Sequence, residues 1–135
     1  MDSIASFSEA LLVRESDTLL LSIAEQYTKQ EQYSVAKQYL FRVINESEDD
    51  VLILKSCLLL GSIYIDEEQY EDARTMLNTV LEKDENNADA YYQFGLLYQK
   101  QGDAVRARSS LRRALRLQPN HQDALKKISE IRSKG

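Results

Sequence analysis

A short passage of this chain is written three times. Glu31-Gln32-Tyr33, followed by Ala36 and Leu40, recurs as Glu68-Gln69-Tyr70, followed by Ala73 and Leu77, and again as Gly102-Asp103-Ala104, followed by Ala107 and Leu111. The alanines of this motif stand 37 and then 34 residues apart. A period of that size marks stacked two-helix units, each unable to bury its apolar face alone. Arrays of this kind work through exposed surfaces, so candidate functional residues are sought in stripes on the helices.

The clearest unit runs from Ala88 to His121. Tyr91, Phe94, Gly95 and Tyr98 recur at i, i+3, i+4 and i+7, the single stripe of a buried helix face. Gly102-Asp103 interrupts that helix, and Ala107, Leu111 and Ala114 form the stripe of a second, which must end before Pro119. Small residues at 95, 107 and 114 allow two helix backbones to approach closely. Only four Gly and one Pro occur in 135 residues, so helices run long and the expected fold class is all-α.

Composition narrows the functional classes. The single cysteine, Cys57, rules out an internal disulfide framework and is expected as a buried thiol in a reducing compartment. No apolar run approaches the roughly 18 residues of a membrane span, and Met1-Asp2-Ser3 opens no signal peptide, so a cytoplasmic protein is expected. No Cys/His cluster has metal-ligand spacing, and there is no phosphate loop or nucleophile elbow. The acidic runs Glu46-Ser47-Glu48-Asp49-Asp50 and Asp66-Glu67-Glu68 lack the ordering and glycine of a calcium loop. The lone histidine, His121, is read as a solvated loop residue. The expectation is therefore a non-enzyme with no catalytic residues, no metal and no cofactor.

The unit 88–121 resembles a tetratricopeptide repeat. That family's first helix carries an aromatic, then Leu-Gly, then Tyr; its second carries Ala, an aromatic or Leu, a further Ala and a closing Pro. Tyr91, Phe94, Gly95, Tyr98, Ala107, Leu111, Ala114 and Pro119 occupy these places. The unit 54–87 carries Cys57, Leu60, Gly61, Tyr64, Ala73, Leu77, Val80 and Glu85, and the unit 17–50 carries Leu20, Ile23, Ala24, Tyr27, Ala36, Leu40, Val43 and Glu48. Three extra residues, 51–53, separate these two units and lengthen a helix or its loop. The resemblance implies a right-handed superhelical solenoid of three helix pairs forming one domain. Residues 3–16, with the stripe Ser3, Phe7 and Ala10, are expected as an N-terminal capping helix. Residues 122–133 are expected as a C-terminal helix with a solvated outer face.

In proteins of that family the stripe beside the packed one, with spacings of 3, 4 and 3 along each first helix, lines a concave groove that holds partner peptides. Here it reads Thr18, Leu21, Glu25 and Thr28; then Lys55, Leu58, Ser62 and Ile65; then Asp89, Tyr92, Leu96 and Gln99. Leu21, Leu58, Ile65, Tyr92 and Leu96 are not needed for repeat packing and imply a partly apolar groove for a peptide or helix of another protein. The alternative is coverage of the stripe by residues 3–14 or by the last helix. Members that grip acidic chaperone tails use Lys, Asn and Arg at places filled here by Leu21, Glu25, Leu59, Asp89 and Gln93, so that clamp is not expected.

A second candidate surface is basic. Arg106, Arg108, Arg112, Arg113 and Arg116 share an arc of one helix opposite its apolar stripe, with no aromatic interleaved between them. Residues 1–99 hold 7 Lys and Arg against 19 Asp and Glu, a net of −12, whereas residues 100–135 hold 10 against 3, a net of +7. The arc reads first as a solvated face; as a binding surface, an acidic protein surface, or head-to-tail self-association, fits that asymmetry better than nucleic acid. The leading reading is an adaptor or scaffold that binds a peptide or helix. The alternatives are a small chaperone of secretion-system type holding apolar cargo, and a scaffold assembled through its own acidic and basic surfaces.

Overall fold

Where each pair reverses direction, the same backbone device appears. The computed structural model describes the backbone of residues 2–134 and the side chains of residues 15–131. Seven helices are described: α1 (Asp2–Lys29), α2 (Tyr33–Glu46), α3 (Asp50–Asp66), α4 (Tyr70–Lys83), α5 (Ala88–Lys100), α6 (Ala104–Leu117) and α7 (Gln122–Lys134), with no strand among the described residues. After α1, the Gln32 N–H donates to the Tyr27 carbonyl at 2.9 Å and the Glu31 N–H to the Thr28 carbonyl at 3.0 Å. After α3, Gln69 donates to Tyr64 at 2.8 Å and Glu68 to Ile65 at 3.1 Å. After α5, Asp103 donates to Tyr98 at 2.9 Å and Gly102 to Gln99 at 3.0 Å. These crossed bonds are the Schellman closure, which requires a left-handed residue just past the helix. Glu31 (φ 59°), Glu68 (φ 62°) and Gly102 (φ 82°) are those residues.

The residue after the left-handed one caps the next helix. Asp103 does so with its side chain, accepting the Arg106 N–H at 3.0 Å. Gln32 and Gln69 occupy the same place before α2 and α4 without a side-chain capping bond. The repeated motif is thus one residue for the turn, one for the cap and one to begin the next helix.

The chain divides into two compact units, residues 1–60 and 61–135. In the first, α1 packs on α2 and buries Leu21, Ala24, Ala36, Leu40 and Val43, with the Tyr27 and Tyr39 rings stacked at 5.9 Å between centroids. The expected break between a capping helix 3–16 and the first helix of a repeat is not there: α1 is one helix of 28 residues. No Gly or Pro stands between Leu12 and Asp17 to stop it. The side chains of Ser3, Phe7 and Ala10, and any coverage of the inner stripe by residues 3–14, lie outside the described side chains. The extra residues 51–53 lengthen a helix rather than a loop. Asp49 Oδ1 accepts the N–H groups of Val51 (3.0 Å) and Leu52 (3.4 Å), so α3 starts at Asp50 and reaches 17 residues, against 13 for α5.

In the second unit, α4 packs on α5, α5 on α6, and α6 on α7. The close approach expected from small residues is present. A Cβ on Gly95 would stand 2.8 Å from the Cδ2 and Cγ atoms of Leu111, itself fully buried. A Cβ on Gly61 would meet Leu77 Cδ2 at 3.2 Å. Cys57, in the first unit, is buried at 1% exposure, as its place in the repeat implies.

The left-handed turns make a direct prediction. A side chain in that region costs about 1–2 kcal/mol, partly offset in a glycine replacement by the looser unfolded chain. Glu31→Gly and Glu68→Gly should each raise stability by about 0.5–1 kcal/mol in urea unfolding. Gly102→Ala should lower it by about 1 kcal/mol, since nothing lies within 4 Å of a Cβ there and only the backbone conformation is at stake.

Candidate functional site

The inner stripe of the first unit is less apolar than its spelling. Leu21 is 5% exposed and belongs to the core, whereas Thr18, Glu25 and Lys55 are exposed and Leu58 is half-buried. Thr28 is half-buried, and its hydroxyl donates to the Ala24 carbonyl at 2.7 Å. In the second unit Ile65 is 2% exposed and is likewise core. Ser62, Tyr92, Leu96 and Gln99 are half-buried, and Asp89 is exposed. Two of the five apolar groove candidates, Leu21 and Ile65, are therefore corrected to packing residues: the buried arc of each first helix is wider than the four positions of the repeat motif.

His121 is the largest departure from expectation. It is 6% exposed, not solvated, and stands immediately before α7, whose first turn it caps. Its Nδ1 accepts the Ala124 N–H at 3.1 Å, which places the ring proton on Nε2, and Nε2 donates to Asp89 Oδ1 at 2.7 Å. The Tyr92 ring lies beside it, with centroids 5.1 Å apart. One imidazole thus starts α7 and ties it to α5, using two residues of the candidate stripe. Tyr92 also packs against the cluster of Ala107, Leu111, Ala114, Ala124, Ile128 and Ile131. Burial, then the charges of Asp123 and Glu130, push its phenol above the ordinary value of 10.0.

The arginine arc splits into two kinds. Arg106 pairs with Asp103 at 3.5 Å and lies 5.9 Å from the Tyr98 centroid, a ring that Arg74 of α4 also approaches at 5.9 Å. Arg113 lies 4.9 Å from the Tyr91 centroid. The aromatics absent from α6 itself are supplied by α5, and these two guanidiniums are partly structural. Arg108 is half-buried, and Arg112 and Arg116 are exposed. Among the described residues no group of His, Cys, Asp and Glu is placed to hold a metal ion. No described helix is long and apolar enough to cross a membrane.

Comparison with known proteins fits this geometry. The family described as the tetratricopeptide repeat protein 21 C-terminal ARM domain matches residues 2–126. The chain belongs to that family. Among solved structures, the first tetratricopeptide domain of Spaghetti (RPAP3), bound to the HSP90 peptide SRMEEVD, superposes with a TM-score of 0.71 at 19% identity, covering 89% of this chain and 93% of that one. The Arabidopsis OM64 tetratricopeptide domain gives 0.71 at 16% identity over 88% and 96% of the two chains. YrrB, described as a tetratricopeptide protein with an unusual peptide-binding site, gives 0.70 at 27% identity over 82% of this chain and 56% of its own. No curated protein sequence matches.

At the places where clamp-type members grip a C-terminal carboxylate, this tetratricopeptide chain carries the buried Leu21 and the exposed carboxylates Glu25 and Asp89, the latter held by His121. The likeness to the peptide-bound Spaghetti domain is one of fold.

Two measurements check the His121–Tyr92 arrangement. His121→Ala removes a cap and a hydrogen bond and should cost about 1–3 kcal/mol in thermal or urea unfolding, whereas His121→Asn, which keeps an N-cap acceptor, should cost less. Because the folded protein holds the Tyr92 phenol above 10.0, the unfolded chain ionises first. Stability from this group is intact below pH 10.0 and falls as pH rises through the folded value. Tyr92→Phe should flatten that alkaline decline without altering the slope near neutrality.

Proposed function

We propose that the chain is a non-catalytic adaptor whose inner helix faces bind a peptide or helix of a partner protein. The observation that carries this reading is the pattern of exposure along the stripes. Leu58 in the first unit and Leu96 in the second stay half-buried although the repeat's own packing does not need them, while Glu25, Lys55 and Asp89 of the same stripes are exposed. Apolar side chains left partly wet among charged neighbours favour a peptide that contributes its own apolar groups. Tyr92 has part of its ring already engaged by His121 and the α6–α7 cluster.

Support also comes from tetratricopeptide neighbours whose descriptions record bound peptide or a peptide-binding site. A tail-gripping carboxylate clamp is not part of the proposal. The polar partners at Glu25 and Asp89 favour a neutral or basic segment over an acidic terminus.

The test uses peptides selected from a random phage-displayed library on the folded chain. Affinity should fall about tenfold or more, equivalent to about 1.4 kcal/mol, in Leu58→Glu or Leu96→Glu, with helicity and melting temperature unchanged. Selected peptides that bind both variants as tightly as the parent would remove the stripe from the function.

A further inference from the structure

We propose that the cleft between α6 and α7 is a second, separate docking site, which binds an acidic amphipathic segment of another protein. It does not rest on the inner stripes. Arg112, Leu115 and Arg116 of α6 and Leu125 and Ile128 of α7 line an open groove of about 460 Å³. The groove has an apolar part: Leu125 is 42% exposed, and Leu115 is only partly buried against the α6–α7 core.

Charge names the occupant. Several of the neighbouring basic side chains are already engaged. Arg106 pairs with Asp103, Arg113 lies over Tyr91, and Lys127 pairs with Glu130 at 3.2 Å. Arg74 lies near Glu71 at 3.8 Å and over Tyr98. Arg112 and Arg116 have no such carboxylate or ring among the described residues, and they border an apolar recess that they share with Leu125. They sit one helical turn apart, so their guanidiniums present a pair of forks along the cleft. The surrounding residues 100–135 carry a net charge of +7. A helix with carboxylates at i and i+4 and leucines on the same face complements both elements, through bidentate pairs at the rim and apolar burial between them. Nucleic acid fits less well, because no aromatic lines the cleft to stack on a base.

The probe is a short fluorescein-labelled helical peptide with that Glu spacing and leucines on the shared face, titrated into the full chain by anisotropy. Binding should weaken about tenfold or more in Arg112→Glu/Arg116→Glu, and severalfold in Leu125→Ser or when the peptide's leucines become Gln. It should weaken with added salt. It should be indifferent to Leu96→Glu, which separates this cleft from the inner stripe. A peptide with Lys in place of Glu should recover binding to Arg112→Glu/Arg116→Glu, a rescue that a merely structural role of the arginines would not produce. Both arginines are exposed, so helicity and melting temperature serve as controls for folding. Undiminished binding by the charge-reversed variant, or by the leucine-free peptide, overturns the proposal. So does sedimentation in which the parent chain self-associates and the charge-reversed variant is monomeric, which would assign the cleft to a second copy. Displacement of the peptide by an oligonucleotide at lower concentration than by unlabelled peptide would assign it to nucleic acid.

Discussion

Two crossed hydrogen bonds and one left-handed residue reverse the chain within each helix pair, and the remaining packing depends on that reversal. Because the left-handed residue is followed at once by the cap of the next helix, a single linking residue's φ sets where two helices lie relative to one another. The three tyrosines whose carbonyls accept the bond from five residues on, Tyr27, Tyr64 and Tyr98, sit on the same turn that their side chains help to pack. Turn and core are therefore specified together. The turn after α5 uses glycine, whereas the turns after α1 and α3 hold glutamates at φ 59° and 62°. Strain of that kind persists only where surrounding contacts over-determine it.

Given the reversal, the distance between paired helices follows from what stands at the crossing. Gly95 lets the buried Leu111 approach until a methyl group would no longer fit, and Gly61 does the same for Leu77 a little less tightly. The matching place in the first pair is Ala24, fully buried, so the residue there is small but not absent. Size matching at these crossings is stricter than hydrophobicity alone demands, since interiors of near-crystalline density tolerate neither voids nor an extra methylene.

Much of this was legible in the sequence because repeat packing writes itself in size. Ala36, Leu40 and Val43, with Ala73, Leu77 and Val80 and with Ala107, Leu111 and Ala114, are all fully buried, as their spacing required. What escaped was set by polar contacts between distant positions. His121 lies one 34-residue period after Asn87, whose side chain caps α5 by accepting the Ala90 N–H at 2.9 Å. His121 read as solvated although it stands one period after that cap, and its pairing with Asp89 is a matter of three-dimensional reach. Leu21 and Ile65 were misplaced for a different reason. A stripe drawn on one helix assumes a single buried arc, and these two side chains fall where that arc widens. The continuity of α1 escaped because nothing in a repeat motif says where a preceding helix must stop.

The arginine arc shows how the same chemistry divides between structure and recognition. Tyr98 accepts Arg74 from one side of the sequence and Arg106 from the other, each at 5.9 Å, so its ring joins α4, α5 and α6 through charge as well as area. Arg113 does the same for Tyr91. Guanidiniums committed in this way have lost part of their hydration and side-chain freedom on folding, and a partner gains less from them. Among the described residues Arg112 and Arg116 have made no such commitment, so their interaction with a carboxylate is available on binding. Position relative to the tyrosines of α5, more than the count of positive charges, separates the arginines that hold the fold from those that can take a ligand.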